Sequence, residues 1–304
     1  MENENIKLSI IILSFNTKDL LKQCLTSVVS GCKGLGEYEV IIIDNASTDG
    51  SIEEINKFKS NLPAGKAGIK NLKVIKNKEN LGYPKANNQG IKEASGDYIM
   101  LLNSDTIVKD RAIFEMVQFL DSHREYEVIG PRLLNSDGSL QSNCGRFPKL
   151  PVAFVMLFKE HFGGSNFVRW SPGKSQTVDW LMGAAFMARR EVFDKVGGLD
   201  ENIFMYMEEV EWFYRTQKLN FKTYFLKEVE IIHLGMGSSK TGKTDPILNI
   251  YRGLLYFYKK HLSLSEVFIL KLMLKIKAVF ALVLGYIKSD EYLKTTYGQA
   301  VKIN

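Results

Sequence analysis

The chain has 304 residues, 45% of them hydrophobic and 24% charged, which is the balance of a globular protein with one large domain and room for an appendage. Its net charge of +6 is confined to one end: from Pro246 to Asn304 there are nine lysines and arginines against three aspartates and glutamates, while the remainder balances at 31 against 31. A neutral body with a basic, apolar tail argues against a nucleic-acid partner and for an anionic membrane surface.

The first residues, MENENIKLSI, are acidic where a signal peptide is basic, so a cytoplasmic location is expected. Leu8 to Ser14 (LSIIILS) reads as a buried strand. Leu20, Leu21, Cys24, Leu25 and Val28 then recur at helical spacing, with Asn16 or Thr17 as the cap. Tyr38 to Asp44 (YEVIIID) is a second strand, and Asp49 or Ser51 starts a helix that turns Ile52, Ile55 and Phe58 inward. A Gly/Pro/Lys loop precedes a third strand, Leu72 to Lys76. Pro84 opens the next helix and Gly96 closes it. Cys24, Cys32 and Cys144 form no CxxC and no His/Cys metal spacing, as suits a reducing compartment.

Tyr98 to Val108, YIMLLNSDTIV, is the most informative stretch. An apolar run ends abruptly in Asn103-Ser104-Asp105, the pattern of a buried strand that delivers polar residues to the rim of a sheet. In open α/β sheets that rim binds ligands, and Asp105 there would suit Mg²⁺ or Mn²⁺ shared with substrate phosphates. A helix from about Asp110 to Ser122 follows. Strands alternating with helices predict a mostly parallel sheet covered on both faces. Further on, Asp137-Gly138 signals a hairpin, Glu208 to Leu219 a helix, and Val229 to Leu234 a last strand. Arg189-Arg190 reads as a solvated helix start that could touch phosphate. Met205, Met207 and Phe204 read as core or pocket wall.

Ser14-Phe15-Asn16, Asp44-Asn45-Ala46-Ser47, Asn80-Leu81-Gly82 and Asn103-Ser104-Asp105 each follow a strand, so the same rim collects an aromatic ring, carboxylates and amides. With SIIILSFN, IIIDNASTDGS, NKENLGYPKANNQGI, YIMLLNSDT, WLMGAAFMARREVFDKVGGLDENIFMYMEEVEWFYR and IIHLGMGSS in that order, the chain from Leu8 to Ser239 resembles the family 2 glycosyltransferases of GT-A fold, notably the rhamnosyltransferase-like branch. The resemblance implies a Rossmann-like α/β fold for nucleotide-diphospho-sugars over residues 1–240. Residues 1–125 would form the nucleotide-sugar half and 126–240 the acceptor half. A flexible loop and an amphipathic helical tail that associates with membrane would fill 241–304. It implies transfer of a sugar, with inversion, from a nucleotide diphosphate such as dTDP-rhamnose or a UDP-hexose to a lipid-linked or cell-surface glycan.

By position in those motifs, Ser14, Phe15, Asn16 and Asp44 would face the nucleoside. Asn80, Gly82, Lys85, Asn103 and Ser104 would lie along the donor. Asp105 would hold the divalent metal, Mg²⁺ or Mn²⁺, with His233 beside it. Asn103 stands where the family's metal motif has its first Asp. Glu208-Glu209 falls on the family's Glu-Asp pair, which makes Glu209 the base and places Glu208 and Gly183 toward the acceptor. The same residues have plainer readings: Asn103 and Asp105 as caps, Glu208, Glu209 and Glu211 as an acidic first turn, and His233 as structural.

Two further stretches need a reading. Gly237 to Thr244, GSSKTGKT, fits the P-loop pattern, but no Walker B strand follows and Asp245-Pro246 interrupts the helix, so a loop that closes over the diphosphate is expected rather than an NTPase. Val267 to Tyr286 is strongly apolar but contains Lys271, Lys275 and Lys277, which favours a helix lying in the membrane interface over one that spans it. A protein of another class, a non-catalytic binder of sugar nucleotides or glycans on the same fold, would differ by lacking turnover of a donor.

Overall fold

A computed structural model describes residues 6–61, 69–162, 165–235 and 244–303. In chain order the elements are β1 (Leu8–Ser14), α1 (Lys18–Gly31), β2 (Tyr38–Asp44), α2 (Ser51–Asn61), β3 (Ile69–Lys76), α3 (Tyr83–Glu93), β4 (Tyr98–Asn103), β5 (Thr106–Val108), α4 (Ala112–Ser122), β6 (Val128–Leu134), β7 (Leu140–Gln141), β8 (Cys144–Gly145), α5 (Leu150–Phe162), α6 (Ser165–Val168), β9 (Arg169–Trp170), β10 (Gln176–Thr177), β11 (Trp180–Leu181), β12 (Ala185–Arg189), α7 (Arg190–Val196), α8 (Glu208–Lys218), β13 (Thr223–His233), α9 (Thr244–His261), α10 (Leu264–Ile287) and α11 (Glu291–Ala300).

Along β1, Leu8, Ile10 and Ile12 pack into the core on one face of the sheet and Ile11 into the core on the other, because successive side chains of a strand point to opposite sides. Both faces are covered, so the strand is apolar at every one of these positions. The main sheet runs β10-β13-β6-β12-β4-β1-β2-β3, with β5 paired to β13 and β7 to β6. Strands β3, β2, β1 and β4 are parallel, and Ser14 pairs with Asp44, Asp44 with Lys76 and Leu13 with Asn103. The carboxyl ends of these strands therefore share one rim. β12 runs antiparallel to β4, Ala185 against Leu102, and so enters the sheet from that same rim. A small second sheet, β11-β8-β9, stands beside it.

Several local expectations are corrected. The helix over α3 ends at Glu93; Gly96 is needed further on, because a Cβ there would come within 2.6 Å of the β1 backbone at Leu8 and Ser9. Helix α4 starts at Ala112, after Arg111 in the left-handed region. The last strand begins at Thr223, not Val229, and its register shifts between Leu226 and Glu230. Arg189 and Arg190 are not a solvated helix start. Arg189 donates to the carbonyls of Leu120, His123 and Tyr126, and Arg190 to that of Gly96, so both hold backbone together at the opposite end of β4 from Asn103.

Helices α9, α10 and α11 pack on one another and against α5, and their apolar residues join the core on one face of the sheet. Lys260 and His261 at the end of α9 meet Glu211 of α8, and Lys260 also meets Asp200. Ser263 and Glu266 form a reciprocal cap that starts α10. One face of α10 is buried. The other, from Leu264 (89% exposed) through Phe268, Leu272, Ile276, Phe280 and Val283 to Ile287 (75% exposed), is an apolar stripe open to solvent. Among the described residues no helix is long and apolar enough to cross a membrane.

Candidate active site

The strand ends assemble the rim residue by residue. Ser14 and Asp44 are buried side by side at the ends of β1 and β2. Asp44 Oδ2 accepts the Ser47 N–H at 3.1 Å, and its buried Oδ1 has no hydrogen-bond partner. A buried carboxylate oxygen without a donor calls for one from a ligand. Phe15 is 37% exposed beside it. Asn16 sits at φ 53° and its side-chain oxygen accepts the Thr48 N–H at 2.8 Å, which ties the two loops together. Thr17 stands at the N-cap of α1, but its hydroxyl donates to Ser104 Oγ at 2.9 Å, and the Lys18 N–H is satisfied by Asp49 instead.

Asn80 accepts from the Asn45 side chain at 2.7 Å and from the Gly82 N–H at 3.0 Å. Gly82 has φ 82°, and a Cβ on it would lie 2.7 Å from the Phe204 carbonyl oxygen, so only glycine fits this crossing of two loops. Lys85 is exposed on the first turn of α3. Asn103 ends β4 half-buried, its N–H donating to the Ala184 carbonyl at 2.9 Å.

Ser104 and Asp105 are buried in the turn after β4. His233, at the end of β13, brings Nε2 to 3.4 Å from Asp105 Oδ1. Its Nδ1 lies 2.8 Å from Gln141 Oε1, and Gln141 Nε2 donates to Asn135, which orients that amide. Nδ1–H therefore donates to Gln141, which leaves Nε2 as the nitrogen directed at Asp105. A carboxylate oxygen and an imidazole nitrogen at this separation suit adjacent positions on one Mg²⁺ or Mn²⁺. Among the described residues no group of three or more His, Cys, Asp or Glu could hold a metal. The pair thus leaves further positions to phosphate and water, as Mg²⁺ prefers.

Glu208 and Glu209 open α8, after Tyr206 and Met207 in the left-handed region. Burial, and then the charge of Glu209, push the Glu208 carboxyl well above the carboxylate range. Burial also raises Glu209, but backbone N–H groups, including that of Gly183, and the Arg169 guanidinium oppose the rise. The two adjacent carboxyls thus differ: the Arg169 guanidinium favours the charged form of Glu209, while Glu208 meets the negative charge of Glu209. Tyr83 connects the two halves of the site. Its hydroxyl donates to the Gly183 carbonyl at 2.7 Å, and burial, then the neighbouring acidic groups Glu208, Glu209 and Asp105, push its pKa well above the usual phenol range.

The sequence profile of glycosyl transferase family 2 matches residues 9–210. The chain belongs to that family. A low-salt glycan biosynthesis hexosyltransferase of Haloferax volcanii is 28% identical over 241 residues, 74% of this chain and 66% of that protein. An N-acetylglucosaminyl-diphospho-decaprenol L-rhamnosyltransferase of Mycobacterium tuberculosis is 26% identical over 213 residues, 64% of this chain and 66% of its own. The chain thus spans just under two thirds of these relatives. Staphylococcus aureus TarS in complex with UDP-GlcNAc superposes with a TM-score of 0.60 at 15% identity, over 97% of this chain and 79% of that one. GalNAc-T7 with UDP, GalNAc and Mn²⁺ superposes with a TM-score of 0.59 at 18% identity, over 84% and 50% of the two chains. The fold of this family 2 member is therefore the GT-A fold.

Tyr83 lies within the NKENLGYPKANNQGI stretch without a role being expected of it, and Arg169 lies in none of the motifs. Arg169 lies in a two-residue strand, and only the pairing of β9 with β8 and of β8 with β11 brings it beside Glu209. Residues 237–243 of the P-loop-like stretch lie outside the described residues. Because Arg169 favours the charged form of Glu209, its replacement by methionine should raise the Glu209 pKa, so that the carboxylate ionises at higher pH than in the parent protein. Carboxyl ¹³C NMR titration, with Glu209→Gln identifying the resonance, reads this directly, and an unmoved titration would remove Arg169 from the charge balance.

Proposed function

We propose that this protein is an inverting glycosyltransferase that moves a sugar from a nucleoside diphosphate to a hydroxyl of a lipid-linked or cell-surface glycan. The observation that carries the reading is Glu209 at the start of α8, with Arg169 and the Gly183 N–H favouring its charged form, connected through Gly183 and Tyr83 to the rim that presents Asp44 and Asp105. Asp44 Oδ1 accepts the imide N–H that uracil and thymine share, and Phe15 lies against the nucleoside. These features suit dTDP-rhamnose or a UDP-hexose; the mycobacterial relative's name specifies rhamnose. Ser14, Asn16, Asn80, Gly82, Lys85, Asn103 and Ser104 shape the donor's path, while Glu208 and Gly183 border the acceptor.

In the reaction Glu209 takes the proton of the acceptor hydroxyl as its oxygen bonds to the anomeric carbon. The bond from that carbon to the diphosphate oxygen breaks on the opposite face, and the nucleoside diphosphate leaves with the electron pair. Burial, and then the charge of Glu209, disfavour a second negative charge on Glu208 beside the approach. Asp105 and His233 would hold a divalent ion, which would supply charge compensation for the departing diphosphate. Residues 1–125 act as the donor half, 126–240 as the acceptor half, and the helices beyond 241 as the membrane-facing part.

Glu209→Gln keeps the shape and removes the proton acceptor. Turnover should fall by about 10²–10⁴-fold, with donor affinity measured by calorimetry nearly unchanged. Wild-type turnover in this variant, or a comparable loss in Glu208→Gln alone, would refute the assignment. Asp105→Ala should abolish the gain in UDP affinity that Mn²⁺ gives the parent protein; equal Mn²⁺ dependence in both would move the metal elsewhere.

The apolar stripe of α10, flanked by Lys271 and Lys275, supports a peripheral position on the cytoplasmic face of an anionic membrane. Leu272→Glu with Ile276→Glu leaves the buried face of α10 intact, and should abolish sedimentation with phosphatidylglycerol vesicles. Undiminished sedimentation would sink the membrane reading.

A further inference from the structure

Glu209 also lines a cavity of about 280 Å³ enclosed by α5, α8, α9, α10, α11 and the β8–β9 region. That is close to the lower end of small-molecule sites, ~300–1,000 Å³, so it holds part of a larger ligand. Its walls are mainly apolar, with Val152, Met156, Ile247 and Ile250 among them. Three cations line it, Arg146, Arg169 and Lys277, against the one carboxylate of Glu209 among the described residues. Arg169 already balances Glu209. Arg146, whose guanidinium lies over the Phe167 and Trp170 rings, and Lys277 bring two further cationic side chains to the wall.

This combination matches an amphiphilic anion. Hydrocarbon belongs against the aliphatic walls, and phosphate oxygens suit a guanidinium and an ammonium. Helix α10 makes the connection to lipid. It gives Lys277, 6% exposed, to the cavity and presents the solvent-open apolar stripe on its other side.

We propose that this cavity is a subsite for the lipid-phosphate portion of the acceptor. The chain nearest the phosphate packs on Val152 and Ile250, the phosphate is held by Arg146 and Lys277, and the saccharide beyond it offers its hydroxyl to Glu209. The proposal rests on Glu209 being the base.

The test is binding, which needs no turnover. Farnesyl phosphate, below its micellar concentration, should bind the full-length protein saturably by calorimetry, and at least as well in the Glu209→Gln background, which removes the one negative charge among the described lining residues. Arg146→Ala and Lys277→Met should each weaken it about tenfold or more, as loss of a charge-assisted contact predicts. Farnesol, which lacks the phosphate, should bind more weakly by a similar factor, and UDP should not displace farnesyl phosphate. Arg146 is exposed, so its variant keeps the test decisive if Lys277→Met fails to fold. Unchanged affinity in Arg146→Ala, equal affinity for farnesol, or displacement by UDP would each overturn the subsite. Those results leave the Glu209 reading standing, whereas wild-type turnover in Glu209→Gln overturns that reading without touching lipid-phosphate binding.

Discussion

The antiparallel pairing of β12 with β4 is the constraint on which the site depends. Four parallel strands bring their carboxyl ends to one rim, and this alone makes a nucleotide platform. A fifth parallel neighbour would have started at the far edge. Because β12 runs the other way, its first residues stand where β4 ends, and the Asn103 N–H bonds to the Ala184 carbonyl. Gly183 is thereby fixed between Tyr83 and Glu209, close enough that a Cβ on it would lie 3.3 Å from the Tyr83 hydroxyl and 3.8 Å from the Glu209 Cβ. One ladder thus places the second half of the chain against the first.

Electrostatics then differentiates groups that are chemically alike. Glu208 and Glu209 are neighbours on one helix turn, where successive side chains diverge by about 100°. Glu208 is pushed up by burial and then by the charge of Glu209, whereas the rise at Glu209 is opposed by the N–H groups of Glu209 and Val210 at the helix start, by the Arg169 guanidinium and by the Gly183 N–H. The helix start and the tertiary neighbours thus act together to separate the two. The same division of labour recurs at Asp105, where Gln141 sets the ring nitrogen that His233 presents.

The C-terminal helices serve the site as well as the surface. Lys260 and His261 of α9 meet the buried Glu211, and Lys260 also meets Asp200, whose carboxyl is held down to about 2 by the Lys260, Tyr256 and Asn202 contacts that outweigh its burial. These ion pairs fasten α9 to α8 two residues beyond Glu209. With α10 and α11 packed behind, they close a chamber beside Glu209 that the sheet alone would leave open.

The sequence by itself determined the elements whose signal is local. The apolar runs of β1, β2 and β4, the polar residues that end them, and Glu208-Glu209 at a helix start are all legible because strand and helix periodicity is written in neighbouring residues. Strand ends in the βα part of the chain also locate a rim, because parallel topology puts them all on one side. What only the tertiary structure decided are the long-range pairings. Arg189 and Arg190 look like surface charges until the carbonyls they reach are placed, and Thr17 looks like a cap until Ser104 arrives beside it. Arg169, Arg146 and Lys277 are 23 to 131 residues apart in the chain, and nothing local marks them as neighbours of one cavity. Tyr83 acquires its place only when Gly183, 100 positions away, accepts its proton. Composition and spacing encode which residues are buried or form a turn; which charge meets which depends on how sheet and helices close around them.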